Sequence, residues 1–371
     1  MAGVAQATGR VRPPRDERLD MARGVALLCI YIDHVSHTWL QQLTPRSWQV
    51  CDFAEVFIFV SGYAAALRYA PLIEEQGWLA GQRKALLRCW TLYRAYLAMF
   101  ALTMLTVYVC YQHGLRQPAT ILEAFLKSPG TYLPRAVYFS YSPTFFSIFP
   151  LYCMLVLAIP TLMVSVQRRP FATLAGSVCL YGLTHWLHWP HMFWRTTGEA
   201  WDFDPASWQL LFVGGMAATR FAWPRPINPR WMRLLALAAV VSIAALCLLH
   251  LYGRHSTGAL KVHLGPARVV NFAAWLILAQ AWLGRVPRSK WLLACGRNSL
   301  LVFCVGSWLA VVTSLLISAY PGTWSQGLLP VGGVALLIAL ARFALRKPIP
   351  RAPRVEPVRP PAGLVLGENE E

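Results

Sequence analysis

The sequence predicts an all-α integral membrane protein with about ten transmembrane helices and both termini in the cytoplasm. Of its 371 residues, 56% are hydrophobic and only 13% are charged, and the mean hydropathy is +0.44. Soluble domains carry about 25% charged residues. The apolar residues occur in windows of about 20, the length that crosses a bilayer. The predicted spans are 24–40, 52–70, 92–112, 145–166, 171–189, 207–223, 231–252, 267–284, 298–319 and 326–345.

The distribution of basic residues predicts the orientation of these spans. With a cytoplasmic N-terminus, 26 of the 34 Lys and Arg residues fall on the inner side and eight on the outer side. Because Lys and Arg accumulate on the cytoplasmic side of membrane proteins, we predict a multi-pass protein of a bacterial inner membrane. The net charge of +18 also raises nucleic-acid binding. Its short basic clusters between apolar segments instead favour contact with membrane lipid, so no nucleic-acid partner is predicted.

Composition divides the chain into three regions. Residues 1–23 form a basic cytoplasmic segment without the cleavage site of a signal peptide, and residues 24–345 form the membrane domain. Residues 346–371 are rich in Pro and Arg and then acidic, which predicts a disordered cytoplasmic tail. The nine Cys residues are scattered without a C-x-x-C pair. No metal site is predicted, because His185, His188 and His191 have no nearby carboxylate or Cys to complete a ligand set.

Asp33 and His34 in the first predicted span are the strongest catalytic candidates. An ionisable side chain at a helix centre in a bilayer costs roughly 2.5–3.5 kcal/mol, which favours a functional role. His34 follows Arg23 by eleven positions, which places it about 16 Å into the span, near the membrane midplane. A neutral His there is suited to remove a proton from a hydroxyl group. The alternative is a His that holds neighbouring helices together through a hydrogen bond.

Two carboxylates near the outer end of the second span extend this candidate site. Glu55 precedes a wholly apolar run and is predicted to orient His34, to stabilise its charged form or to bind hydroxyls of an acceptor. Asp52 is predicted to bind acceptor, with a helix cap as the competing interpretation. Aromatic and acidic residues in an outer loop also suit sugar binding, and they add three acceptor candidates: Trp201, Asp202 and Asp204.

Basic residues on the inner side form a candidate donor site. They stand where the first span enters the membrane and along a stretch predicted as an amphipathic interfacial helix. An anionic, nucleotide-like molecule such as coenzyme A would find complementary charge there, and so would lipid headgroups. The donor-site residues are Arg18, Asp20, Arg23, Arg83, Lys84, Arg88 and Arg94.

Five segments in order along the chain resemble the OpgC family. The resemblance runs from about residue 15 to residue 345, and the ordered set is more specific than any one segment. The segments are RDERLDMARG from Arg15, YIDH from Tyr31, FAEVFIFVSGY from Phe53, FDPASWQLLF from Phe203 and CGRNSLLVF from Cys295.

The resemblance implies a membrane acyltransferase of about ten spans. It implies succinyl transfer from cytoplasmic succinyl-CoA to osmoregulated periplasmic glucans, without a tightly bound cofactor. Family features recur here at Arg18, Asp20, Arg23, His34 and Glu55. His34 would act as a base or as a covalent relay, two roles that the sequence does not separate.

Other functions remain open at the level of sequence. One is acetyl or other acyl transfer to a different outer-face glycan, and another is a proton-coupled transporter or flippase that uses Asp33, His34 and Glu55 as a relay. A dicarboxylic acyl group would need a cation near its free carboxylate. The sequence offers Arg94, Arg135 and Arg268 for that role and does not rank them.

Overall fold

The computed structural model of the chain is all-helical where it is described. It describes residues 16–114, 125–142, 146–187, 203–221, 223, 228–252, 261–282 and 288–346, and no strand occurs within them. The helices are α1 (Glu17–His34), α2 (Phe53–Gln112), α3 (Pro129–Val137), α4 (Ile148–Arg168), α5 (Pro170–Trp186), α6 (Pro205–Arg220), α7 (Pro229–Tyr252), α8 (Pro266–Trp282), α9 (Lys290–Arg297), α10 (Ser299–Ala319) and α11 (Thr323–Arg346).

Helix α1 begins seven residues before the predicted first span. The Asp16 side chain caps it by accepting a hydrogen bond from the backbone N–H of Arg18 at 2.9 Å. The acidic first turn is paired with basic residues of α9 and its approach: Glu17 lies 3.1 Å from Arg297 and 3.4 Å from Arg288. These distant partners allow a charged turn to continue directly into an apolar helix.

The same helix also ends earlier than predicted, and this changes the position of His34. His34 is the last residue of α1, and the next residues form a loop with two 3-10 turns, Trp39–Leu43 and Pro45–Ser47. The predicted span 24–40 therefore extends six residues beyond the end of the helix. At 1.5 Å per residue, the 18-residue helix is about 27 Å long, and His34 is at its far end from the basic N-terminal turn.

Helix α2 is a hairpin of two arms, 53–76 and 78–112. Gly77 has φ 82° and ψ 172°, a non-helical conformation that residues with a Cβ rarely adopt. Lys84 Nζ lies 5.1 Å from the ring centre of Tyr69, although fifteen residues of straight helix would separate them by about 22 Å. The chain therefore reverses at Gly77. The basic stretch predicted as an interfacial helix is part of the second arm instead.

Five of the described helices are long and apolar enough to cross a membrane by length and composition. They are α2, α4, α7, α10 and α11. Helix α7 has the highest window hydropathy, 2.6, yet only 6% of that window is buried within the protein. A helix so apolar on its exposed faces is typical of a surface that contacts lipid. The fold is thus that of a membrane protein.

Close backbone contacts fix how α1 and α2 pack. A Cβ on Gly62 would lie 2.0 Å from the carbonyl oxygen of Phe212, so α2 and α6 meet without an intervening side chain. A Cβ on Gly296 would lie 1.7 Å from the carbonyl oxygen of Asp20, which shows the same closeness between α9 and α1. Helices α1 and α2 also touch directly, because Arg23 Nη2 donates to the carbonyl oxygen of Val60 at 3.3 Å.

Candidate active site at the end of the first helix

The loop after α1 caps the carbonyl end of that helix. Arg46 Nη1 donates to the backbone oxygen of Asp33 at 2.9 Å, and Gln41 Nε2 donates to Asp33 O at 3.1 Å and to Val35 O at 2.9 Å. Free carbonyls at a helix C-terminus carry partial negative charge, and amide and guanidinium donors satisfy them. The loop therefore holds the last turn of α1, and with it His34, in one orientation.

The carboxylate of Asp33 also points into this loop. It is buried and accepts a short hydrogen bond from Thr44 Oγ1. Asp33 thus links α1 to the loop that follows it.

His34 is oriented by its own helix. Its Nδ1 lies 2.5 Å from the carbonyl oxygen of Ile30. Because a carbonyl oxygen only accepts hydrogen bonds, Nδ1 carries the proton and the neutral ring has its lone pair on Nε2. In this tautomer Nε2 is the ring nitrogen that can accept a proton.

Asp52 and Glu55 form a capping box at the start of α2. Asp52 Oδ1 accepts from the backbone N–H of Ala54 at 2.8 Å, and Glu55 Oε2 accepts from the backbone N–H of Asp52 at 2.9 Å. The helix-cap interpretation of Asp52 is confirmed. Each carboxylate keeps a second oxygen, and both of these oxygens face cations from a distant part of the chain.

Arg268 and Lys261 supply those cations. Arg268 Nε donates to Glu55 Oε1 at 2.6 Å, and its Nη2 lies 2.5 Å from the same oxygen and 3.2 Å from Asp52 Oδ2. Lys261 Nζ donates to Asp52 Oδ2 at 2.7 Å. We call these four residues the outer ion cluster, after the side that the sequence predicts for the start of the second span. It balances two negative and two positive charges, as buried ions require.

The side chains of the outer ion cluster are buried, except that of Lys261. Glu55 is 0% exposed and Arg268 is 5% exposed, whereas the Lys261 side chain keeps 29% of its surface accessible. Arg268 Nη1 also donates to the carbonyl oxygen of Val50 at 2.7 Å. Lys261 and Arg268 both contact Asp52 Oδ2, at 2.7 Å and 3.2 Å, so the carboxylate has two cationic partners inside the protein.

Polar residues that the sequence did not single out complete this region. Asn271 is fully buried, accepts from the Cys51 thiol at 2.6 Å and donates to Gln49 Oε1 at 2.8 Å. Together with Arg46 and Lys261 it was missed as a site residue. The sequence did hold a signal for the two cations. Lys261 and Arg268 lie near the start of a predicted span, and a cation that is buried there needs a carboxylate partner.

The predicted acceptor loop is described only in part. Trp201 and Asp202 lie outside the described residues, as do His188 and His191. Asp204 is the N-cap of α6 and accepts from Ser207 Oγ at 2.6 Å. Its backbone N–H donates to Val262 O at 2.9 Å, and Trp208 Nε1 donates to Lys261 O at 3.1 Å. The start of α6 thus anchors the segment that carries Lys261.

The predicted donor residues divide into exposed and packed groups. Arg23 Nη2 donates to Val60 O on α2 at 3.3 Å. Its Nη1 lies 3.8 Å from the carboxylate of buried Asp20. Asp20 also faces Arg297 Nε at 3.7 Å. The exposed members of the set are Arg18, Arg83, Arg88 and Arg94.

Tyr152 of α4 and Arg23 of α1 contact neighbouring positions of α2. The Tyr152 hydroxyl donates to Ser61 Oγ at 2.8 Å, and Arg23 Nη2 donates to the carbonyl oxygen of Val60 at 3.3 Å. The reversal at Gly77 also brings Lys84 of the second arm against Tyr69 of the first arm. Basic residues of α1 and of the second arm therefore lie beside the first arm of α2.

The chain matches a family model over nearly its whole length. Residues 15–348 match the model described as OpgC protein. The chain belongs to the OpgC family. No curated protein and no solved structure matches it. Membership in the OpgC family indicates an acyltransferase, which agrees with a membrane fold whose polar residues collect at the end of the first helix.

Proposed function

We propose that the protein moves a succinyl group from a cytoplasmic acyl-CoA to hydroxyl groups of periplasmic glucans, with His34 as the general base. Membership in the OpgC family supports the reaction class. The observation that carries the proposal is the geometry of His34. Its Nδ1–H is engaged by Ile30 O, so the neutral ring presents a basic Nε2. The ring lies at the end of α1, where an acceptor from the far side of the membrane would arrive.

The proposed transfer is balanced as follows. The glucan hydroxyl oxygen attacks the thioester carbonyl carbon while its proton passes to His34 Nε2. The new C–O bond forms, the C–S bond breaks, and the leaving thiolate of coenzyme A takes up the proton from His34. Arg46 donates to Asp33 O beside His34 at the end of α1, and its guanidinium is proposed to stabilise the oxyanion that develops on the thioester carbonyl.

The donor would approach from the opposite end of α1. Arg23 and Tyr152 meet α2 at Val60 and Ser61, about 16 Å from His34 along the helix, because eleven residues separate Arg23 from His34. We propose that the anionic part of acyl-CoA binds on this cytoplasmic side and that its thioester reaches His34 between the helices. This requires ten spans with both termini in the cytoplasm, the two arms of α2 counting as separate spans.

Acyl transfer fits the contacts better than proton-coupled transport does. A relay through Asp33, His34 and Glu55 needs a carboxylate that gains and loses a proton readily. The Glu55 carboxylate instead has both oxygens occupied, by Arg268 and by the backbone of Asp52. Glu55 is therefore proposed to position the start of α2 and Arg268 relative to His34.

Reconstituted protein tests the proposed function. Purified protein in lipid vesicles is given labelled succinyl-CoA on the side of the termini and glucan on the other side. Labelled succinyl ester on the glucan, detected by mass spectrometry, is the expected product. A vesicle preparation that moves unmodified glucan and transfers no label would overturn acyl transfer and favour a transporter.

A further inference from the structure

We propose that Trp39 and Trp324 form an aromatic platform that binds the glucan acceptor beside the end of α1. This inference rests on the proposed transfer to glucan and names the surface that holds the acceptor. Sugar rings carry apolar C–H groups on their faces and hydroxyl groups around their edges. A surface that binds them therefore combines accessible flat rings with amide and hydroxyl groups.

Both indole rings of the platform keep much of their surface accessible. Trp39 is 43% exposed and Trp324 is 59% exposed. Trp39 begins the 3-10 turn that follows α1, and Trp324 lies in the first turn of α11. Tyr320, which follows the last residue of α10, is exposed as well. Large aromatic side chains from three segments are therefore accessible to a ligand.

The loop after α1 is joined to the start of α11, which places the two tryptophans on one surface. Thr38 Oγ1 donates to the backbone oxygen of Gln326 at 2.6 Å. A Cβ on Gly327 would lie 3.3 Å from Cζ2 and Nε1 of Trp39, so the indole ring rests directly against α11. Positions 324 and 327 of a helix share a face. Trp39 therefore lies against α11 about one turn after Trp324.

The Trp324 ring is held in a similar way. A Cβ on Gly322 would lie 3.0 Å from Trp324 Nε1, so this indole covers the connection between α10 and α11. The carbonyl oxygen of Gly322 accepts from Ser325 Oγ at 2.8 Å and from the backbone N–H of Gln326 at 3.2 Å, which fixes the connection. Rings that are already held in place lose little conformational freedom when a ligand stacks on them.

The turn that carries Trp39 also contacts the residues on both sides of His34. Gln41 Nε2 donates to the backbone oxygen of Asp33 at 3.1 Å and to that of Val35 at 2.9 Å. Trp39 itself follows His34 by five positions. A glucan chain that stacks on the platform would therefore have further hydroxyl groups near the end of α1, where His34 is proposed to act.

The polarity of the loop favours carbohydrate over lipid as the occupant. Tryptophan also anchors proteins at the boundary between membrane and water, and such a Trp contacts lipid. Between residues 36 and 49, however, the chain holds three Gln, two Thr and two Ser. Gln42 is exposed on the same turn as Trp39, and its amide can hydrogen-bond sugar hydroxyls. This density of amides and hydroxyls suits water and carbohydrate better than acyl chains.

The platform acts by binding and makes no bond in the reaction. It contacts sugar units of the glucan in the same way before and during the transfer. The loss of such a contact raises the KM for glucan and leaves kcat nearly unchanged. A change in protein folding or in the proposed base would lower kcat instead, so the two kinetic constants separate the roles.

Initial rates in vesicles test this inference on the full-length protein. The acceptor is periplasmic glucan whose esters have been removed with mild base, at varied concentration and saturating succinyl-CoA. We expect Trp39→Ala and Trp324→Ala each to raise the KM for glucan about tenfold, a typical cost for the loss of a Trp that anchors a ligand. Trp39→Tyr should keep most of the affinity because it retains a ring. The KM for succinyl-CoA should not change.

A matched control uses Trp231, which is 65% exposed in the first turn of α7. In the proposed topology it lies on the cytoplasmic side, so Trp231→Ala should leave the KM for glucan unchanged. An unchanged KM in both Trp39→Ala and Trp324→Ala would overturn the inference and assign these rings to the membrane boundary. A fall in kcat at constant KM would overturn it too.

Binding without a donor separates this inference from the proposed function. Calorimetry measures the binding of the same glucan to the purified protein in detergent, with no acyl-CoA present. We expect wild type to bind and the Trp39→Ala/Trp324→Ala protein to bind at least tenfold more weakly. A wild-type protein that binds glucan through these rings but transfers no acyl group refutes the proposed function alone. Equal binding by the two proteins refutes the platform alone.

Discussion

At the scale of single residues, the position of His34 is explained by what caps the helix that it ends. Donors from Arg46 and Gln41 fill the last carbonyls of α1, and the hydrogen bond to Ile30 fixes the imidazole ring. The sequence predicted that His34 is a site residue, but it did not predict that His34 ends α1. Its apolar neighbours favoured a helix that continued to residue 40, and the donors that terminate the helix lie in a loop without a distinctive pattern.

Replacement of His34 should remove the transfer activity while the fold is retained. His34→Gln keeps a polar side chain but has no titratable nitrogen, so we expect a loss of about 100-fold or more, the range of general-base catalysis. The measurement is succinyl ester formed per protein in vesicles. His37→Gln serves as the matched control, because His37 follows the end of α1 and is exposed. Full activity in His34→Gln would exclude His34 as the base.

The protein should lose more stability when one partner of the Glu55–Arg268 pair is replaced than when both are replaced. Arg268→Met leaves Glu55 as a buried charge, which costs about 3–5 kcal/mol in comparable buried pairs. We expect the Glu55→Gln/Arg268→Met protein to recover part of that loss. Thermal unfolding in detergent of the two single variants and the double variant measures the coupling. Additive losses would show that Glu55 and Arg268 do not act as a pair.

At the scale of helices, the sequence predicted most of the long helices and misplaced the ends of the first one. The predicted spans 145–166 and 298–319 agree closely with α4 and α10 because they are apolar throughout. The start of α1 was missed because its first turn carries two carboxylates, Glu17 and Asp20, which are rare in a membrane helix. Their partners Arg288 and Arg297 follow about 270 or more positions later, which no local pattern reveals.

The contact between α2 and α6 offers a test of helix packing. Gly62→Ala places a Cβ 2.0 Å from the Phe212 carbonyl oxygen, so the two backbones must separate. We expect a clear loss of thermal stability and of transfer activity, because the start of α2 carries the outer ion cluster. Gly182→Ala on α5 is the control, since a Cβ there meets no atom within 4 Å. Equal stability of the two variants would contradict the close packing.

At the scale of the whole molecule, the pattern of positive charge predicts which side each end occupies. An even number of spans puts both termini on one side, and 26 of the 34 basic residues lie on that side in the proposed topology. In this proposed topology the two arms of α2 are two spans, and the single residue Gly77 joins them. The sequence predicted spans 52–70 and 92–112 but not how tightly they are joined.

Tags at the two ends test this topology. We expect N-terminal and C-terminal epitope tags to resist protease in spheroplasts, whose outer membrane is opened, and to be cut after the inner membrane is opened too. A tag inserted between Gly114 and Phe125, in the connection after the second arm of α2, should be cut in spheroplasts. Cleavage of either terminal tag in spheroplasts would contradict the proposed orientation.

The candidate site depends on contacts that the sequence could not supply. Glu55 was singled out because it interrupts an apolar run, which is a local signal. Its partner Arg268 is 213 positions away and Lys261 is 209 positions from Asp52, so the pairing follows only from the packing of α2 against distant segments. Residues were predictable where a single side chain was unusual in its surroundings. Their partners and roles were not.

The 213 positions between Glu55 and Arg268 also affect the order in which the protein is assembled during synthesis. Ribosomes add about 5–20 residues per second, so Arg268 emerges roughly 10–40 seconds after Glu55. During that interval the first two helices are already in the membrane with an acidic residue that has no cation to meet it. The nascent chain must therefore keep the start of α2 at the water boundary, and the transfer site closes only when the eighth helix arrives.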